Sequence, residues 1–335
     1  MPTVAKVTTD VGPVWVHYST GGKHTVCRRF VGDELKEFEF PKDDAESLVI
    51  EKRTIGSLSG LIPEEMNQGI ENLEYWRAVL TVLDSGMLEP KHPAPAGGQK
   101  VDPPITHLRV LYELLRPLPV AVHTALAAGY IGRTQMLTKL WRSSRQTFDD
   151  AAPNCNWTGP TRKPFRPDEI PDSLSDVTNG RPVQAFFEAE KSVTLLDDAV
   201  WNFVDYEVCP INSGGGIDVL MSSGQVPVAI EVKADGDKNA FFALLQVLAY
   251  AAELSAPSQL RLLTDRYSDH FRGDDAPKEV EAAVLLVNPR HGHAKSETVK
   301  LSRELNDSLD QMPGLRQIHL LSFENDAWVD LTTQG

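Results

Sequence analysis

Asp218, then Glu231-Val232-Lys233, then Gln246 and Tyr250 follow one another within a single stretch of the chain. Two carboxylates supply hard oxygen ligands for Mg²⁺ or Mn²⁺, and such ions keep coordination positions open to water and to a phosphate oxygen. The backbone carbonyl of Val232 is a further candidate ligand. An ammonium beside them orients the attacking water, helps to lower its pKa, or stabilises the charge that builds in the transition state. Phosphodiester hydrolysis is the chemistry that this set of residue types suits.

For these groups to meet, the chain must fold back on itself. Residues 216–221 and 227–234 are rich in β-branched and apolar side chains and flank Ser222-Ser223-Gly224-Gln225, which predicts a hairpin. Alternation along its second strand places Glu231 and Lys233 on one side and Ile230 and Val232 on the other. Residues 239–254 predict a helix with Asn239 at the cap position and Gln246 and Tyr250, four apart, on one face. The glycines of Ser213-Gly214-Gly215-Gly216 lack the following Gly-Lys-Ser or Gly-Lys-Thr of a phosphate-binding loop and read as the turn that delivers Asp218. Each part also has a plain structural reading. Glu-x-Lys on a strand is common as a solvated ion pair, an Asp at a strand start is often turn chemistry, and a Tyr on an Ala/Leu-rich helix is usually core packing. The information lies in their joint order on the matching elements.

Asp, a turn, then Glu-x-Lys on an apolar strand resembles the PD-(D/E)XK nuclease superfamily, with Ile217 standing where a Pro often precedes the Asp. Gln246 and Tyr250 resemble the Gln-xxx-Tyr pair of the branch that contains phage-type and helicase-associated exonucleases and CRISPR-adaptation nucleases. The resemblance covers residues 183–252 closely and the C-terminal half loosely, and it does not touch the first half. It implies an α/β (α+β) fold, with a restriction-endonuclease-like core of mixed β-sheet flanked by helices. It also implies metal-dependent cleavage of DNA. In that reading Asp218, Glu231 and the Val232 carbonyl bind Mg²⁺ or Mn²⁺, Lys233 assists the water, and Gln246 and Tyr250 position the Lys or the substrate strand. The superfamily usually adds a Glu from a helix before the Asp strand. Residues 183–204, read as one helix, are the place for it: Glu190 shares a stripe with Val183, Phe186, Val193 and Val204, whereas Glu188 lies almost opposite with Leu195 and Ala199. Glu190 is therefore preferred, its alternative being a helix-edge Glu paired with a Lys.

The 335-residue chain has room for two domains. Three regions are expected: 1–100, β-rich and helical and of unassigned role; 101–180, a helical, basic connecting region with a Pro-rich linker; and 181–335, the nuclease-like domain. The first shows alternating runs over 14–18, 25–31, 37–40 and 47–52, then helical spacing over 62–88 and a Pro/Gly-rich linker over 91–104. The second shows helices over 107–115 and 120–129, then Arg133, Lys139, Arg142 and Arg145 along 133–145. A helix-turn-helix reader of nucleic acid would carry such a basic helix. A surface helix with a solvated basic edge reads the same residues more simply. The third is expected to run helix, three strands, helix, strand, strand, helix, strand, with the later strands at 259–264, 282–288, 318–323 and 327–331 and a helix at 296–309. His291 and His293 fall in a polar loop, as metal ligands, nucleotide contacts or merely solvated side chains.

The formal net charge is −14, and residues 181–335 hold 13 basic against 24 acidic side chains. Polyphosphate is repelled by such a body, so tight duplex binding by this half alone is not expected. Residues 106–166, with nine basic side chains, or a protein partner or second copy would supply the grip. No apolar run reaches membrane-spanning length, the N-terminus lacks a basic segment leading into an apolar one, and Cys27, Cys155 and Cys209 lie far apart without a Cys-x-x-Cys. A cytoplasmic protein without membrane contact, zinc or disulfides is expected. The functional expectation is a Mg²⁺-dependent nuclease of restriction or anti-phage defence. The alternatives are a catalytically silent nuclease-fold scaffold subunit and a nuclease activated by a partner or ligand.

Overall fold

The computed structural model describes residues 3–9, 12–18, 24–26, 29–31, 34–36, 88–90, 106–115, 134–151, 157–159, 164–195, 199–210, 216–234, 240–271, 277–289 and 295–333. The helix expected over 62–88, save Leu88, which opens a strand, the helix expected over 120–129, the strands expected over 37–40 and 47–52, the 91–104 linker, Arg133, Asn239, His291 and His293 lie outside these residues. The first strands are β1 (Thr3–Thr9), β2 (Gly12–Tyr18), β3 (His24–Val26), β4 (Arg29–Val31), β5 (Glu34–Lys36) and β6 (Leu88–Pro90). They form an antiparallel sheet of order β3-β2-β1-β6 and a separate β4-β5 hairpin.

Two helices follow, α1 (His107–Leu115) and α2 (Thr134–Ala151), and a short strand, β7 (Trp157–Thr158). Then come α3 (Gly180–Glu190), β8 (Ser192–Thr194), β9 (Val200–Pro210), β10 (Ile217–Ser223) and β11 (Val226–Lys233). The chain continues through α4 (Ala240–Leu254), α5 (Pro257–Arg266), β12 (Val280–Val287), α6 (Lys295–Asn306), β13 (Leu315–Glu324) and β14 (Ala327–Asp330). The C-terminal strands make one mixed sheet of order β14-β13-β12-β11-β10-β9-β7, with β8 paired to β9. β9, β10 and β11 run antiparallel, whereas β11, β12 and β13 run parallel. The fold is of the α/β class. β12, Val-Glu-Ala-Ala-Val-Leu-Leu-Val, is buried along its whole length, as a central parallel strand covered on both faces must be.

Alternation splits the sheet between two cores. Leu220, Ala229, Ala282, Val284 and Leu320 join α1, α2, α4 and α6 on one face. Val219, Val228, Ile230, Ala283, Leu285 and Leu321 join α3 and Phe165, Leu174 and Val177 on the other. The second face is concave enough for the Trp201 and His319 rings, on strands β9 and β13, to meet edge to face at 5.1 Å. Among the described residues no single helix is long and apolar enough to cross a membrane, and α4 is apolar because it is buried on nearly every side.

Two expected elements come out differently. The helix expected over 183–204 ends at Glu190, where Lys191 adopts a left-handed conformation (φ 62°) and the chain turns into β8 and β9. From there the period is two, with Trp201 and Phe203 buried and Asn202 exposed, so Val193, Leu195 and Val204 belong to no helical stripe. Residues 259–264, expected as a strand, lie inside α5. Pro257 at the first helical turn starts that helix, and Leu260 and Leu263 are spaced to bury one face. The strands expected over 282–288, 318–323 and 327–331 correspond to β12, β13 and β14, and the helix expected over 296–309 to α6 and a 3₁₀ turn at Leu309–Gln311.

Candidate active site

β10 and β11 pair from Ser223↔Val226 as far as Val219↔Ile230. The next pairs of that ladder would be 218 with 231 and then 217 with 232. Instead the Val232 N–H donates to the Asp218 Oδ2 at 2.8 Å, and the Asp218 carbonyl accepts from the Gln184 side-chain amide of α3 at 3.3 Å. The strands part here, and the Asp218 carboxyl bridges to the β11 backbone. Gly216 leads into it so close to the Val208 carbonyl and Cys209 that a side chain at this position would collide with both.

Asp218 follows the parity of Leu220, and Glu231 and Lys233 that of Ala229, so all three charged groups lie on the α4 face. The Lys233 ammonium donates to the Glu231 Oε1 at 3.0 Å and lies 5.8 Å from the centre of the Phe242 ring of α4. Burial pushes the Glu231 carboxyl well above the usual range, and the Asp218 charge adds to the shift while Lys233 opposes it. Asp218 is raised too, chiefly because its carboxyl is enclosed even though the residue as a whole is half-buried, with the Val232 N–H and Lys233 pulling the other way. The two carboxyls are within reach of sharing a proton and cannot both ionise cheaply without a cation.

Glu231 Oε2 is buried without a hydrogen-bond partner, and so is Gln184 Oε1. An unsatisfied carboxylate oxygen at such a place fits a hard divalent cation. Among the described residues no three His, Cys, Asp or Glu side chains gather closely enough to enclose a metal. Mg²⁺ needs only one or two carboxylates because it keeps several waters, so Asp218, Glu231 and the Val232 carbonyl suffice as its protein ligands.

Gln246 and Tyr250 lie on one face of α4, along with Phe242. Gln246 is half-buried and Tyr250 fully buried. Tyr250 shares a hydrogen bond of 3.1 Å with the Tyr112 hydroxyl of α1, and the Arg109 guanidinium lies 4.8 Å from its ring centre. Burial raises the Tyr250 pKa, and the nearby Glu231 adds to the rise, so the phenol stays protonated.

The other expected site residues fall elsewhere. Glu190 is exposed at the last position of α3, because the stripe that favoured it ran across a helix end. Glu188 accepts from the Phe165 N–H at 3.1 Å. Lys139 and Arg142 are exposed on α2, whereas Arg145 is half-buried and donates from Nε to the Ser255 carbonyl at 3.1 Å. Gln184, not either Glu, is the α3 side chain that reaches Asp218. No motif points to it, since its value depends on where α3 comes to rest against Asp218. Glu207 is the other omission: its position on β9, between the pairs Ile217↔Val208 and Val219↔Tyr206, sets its charge against Asp218, which it helps to raise. Compared with protein-family models, with curated proteins and with solved structures, the chain finds no match.

Proposed function

We propose that the protein is a metal-dependent nuclease that hydrolyses phosphodiester bonds of DNA in the cytoplasm, as part of a restriction or anti-phage defence system. The observation that carries this reading is the buried Asp218–Glu231 pair, with an unpartnered carboxylate oxygen and the Lys233 ammonium 3.0 Å from Glu231. The order α3, then antiparallel β9, β10 and β11, then α4 and a parallel β12 also supports a restriction-endonuclease-like core. DNA as substrate and the defence setting rest on the resemblance of residues 183–252. The acidic body supports a protein partner or second copy that shares the phosphate grip.

Asp218, Glu231 and the Val232 carbonyl would hold the cation. Bound Mg²⁺ or Mn²⁺ supplies Lewis acidity that lowers the pKa of a water and offsets phosphate charge. Lys233, held by Glu231, sets a positive charge where the attacking oxygen and the phosphoryl oxygens gather. Gln184 Oε1, buried and unpartnered, has a free acceptor with which to orient a water. The first test is incubation with single-stranded DNA, duplex DNA and RNA in Mg²⁺ or Mn²⁺, beside a Lys233→Ala protein of matched folding. Cleavage by the wild type alone is expected; equal product from both proteins would remove the assignment.

A second reading, a silent nuclease fold used as a scaffold, is favoured by the lack of a third metal-ligating side chain among the described residues. It requires that calorimetry show no Mn²⁺ binding dependent on Asp218 and Glu231.

A further inference from the structure

We infer that α1, which precedes the nuclease-like half, completes the catalytic face: Tyr112 and Arg109 are positioning residues that aim the Tyr250 hydroxyl into the site. The inference rests on the nuclease reading above. Phe242, Gln246, Tyr250 and Glu253 form one stripe along a helix that is otherwise apolar. α1 lies along that stripe in the opposite direction. Its Tyr112 ring meets Phe242 at 5.9 Å and Tyr250 at 6.0 Å, Arg109 reaches both Tyr250 and Glu253, and Thr106 reaches Glu253.

Every buried ionic group in this network is partnered. Glu253 Oε1 accepts from Thr106 Oγ1 at 2.8 Å and from Arg109 Nε at 2.9 Å, while Oε2 accepts from Arg109 Nη2. Burial opposes the Arg109 charge, but the Glu253 carboxylate more than offsets it. Packing two helices does not require such a set, because apolar side chains of similar volume serve as well or better. What a fully satisfied network provides is one fixed geometry. Here that geometry ends at the site: the Phe242 ring that Tyr112 touches is the ring facing the Lys233 ammonium.

Two phenols hold two protons, and the bond between Tyr112 and Tyr250 consumes one of them. Either hydroxyl can donate in that bond; where Tyr112 donates, the Tyr250 proton is left to donate toward a phosphate oxygen beside Glu231 and Lys233. Arg109 over the ring face fixes the plane of that phenol. Tyr112 therefore acts through Tyr250 and not on the substrate.

A double-mutant cycle in the full chain tests this, with Tyr112→Phe, Tyr250→Phe and both together, reading kcat and KM in Mg²⁺ on the nucleic acid that the wild type cleaves. Tyr112→Phe is expected to lower kcat about ten-fold at constant KM. In the Tyr250→Phe background it should cost nothing further, whereas a merely structural role would lower activity equally in both. No loss, or equal losses in both backgrounds, overturns the inference while leaving the nuclease reading standing. A wild type no more active than Lys233→Ala overturns that reading, and the inference with it. A readout independent of activity is ring-carbon NMR of labelled tyrosine: Tyr112→Phe must shift the Tyr250 resonance, and an unmoved resonance refutes the hydroxyl pair.

Discussion

Two buried ionic clusters lie against α4, and they are built to opposite standards. Glu253 is 0% exposed and receives three donors on its two oxygens, from Thr106 and Arg109. Glu231 is 2% exposed, receives one donor on Oε1 and none on Oε2, and faces a second carboxyl in Asp218. The first cluster is closed and has nothing left to bind. The second leaves one carboxyl oxygen without a partner beside a second carboxyl, the feature on which the proposed ligand site rests. The chain thus contains its own control for what a buried carboxylate looks like when both of its oxygens are satisfied within the protein.

The contrast is testable from both sides. Glu253→Ala strands the Arg109 charge and should destabilise the fold by about 3–5 kcal/mol in urea unfolding, whereas Arg109→Met with Glu253→Leu should restore most of the loss. Lys233→Ala removes the ammonium that pairs with Glu231 and should lower cleavage by about 10²–10³-fold, read as initial rate. Mn²⁺ at about a hundred times its dissociation constant should add about 2.7 kcal/mol to stability, and Asp218→Asn should abolish that gain. In EDTA the sign reverses. Glu231 binds its proton more tightly folded than unfolded, so this contribution to stability is full below the unfolded carboxylate pKa and is lost as pH rises through the raised folded value. Asp218→Asn removes the like charge, so thermal melts in EDTA should fall less steeply toward neutral pH than those of the wild type.

At the small end, Gln184→Ala should cost about 1 kcal/mol in unfolding, for one lost hydrogen bond to the Asp218 carbonyl, and should slow cleavage measurably. Glu190→Ala should change stability by less than about 0.5 kcal/mol and leave cleavage rates intact, because the side chain is exposed.

The strands were legible where apolar, β-branched runs flank a turn. Residues 216–221 and 227–234 flank a turn whose chemistry is local, and β10 and β11 form there with Gly224 at φ 61°. The end of α3 was not legible, because helical and strand periods overlap over a few residues and Lys191 gives no glycine-like signal before its left-handed turn. The 259–264 error has the same root: a short apolar run fits either period, and Pro257 decides it.

What the sequence determined by itself is the side of β11 on which Glu231 and Lys233 stand, because alternation is a property of the backbone alone. That Gln246 and Tyr250 share a helix face follows from helical pitch in the same way. Only the tertiary structure decided that the β10-β11 ladder opens at Asp218, that Gln184 reaches the Asp218 carbonyl, and that Tyr112 and Arg109 cover α4. These meetings join residues distant in the chain and depend on where whole elements come to rest. The lack of a partner for Glu231 Oε2 is likewise visible only there, since whether an oxygen is satisfied depends on every neighbour around it.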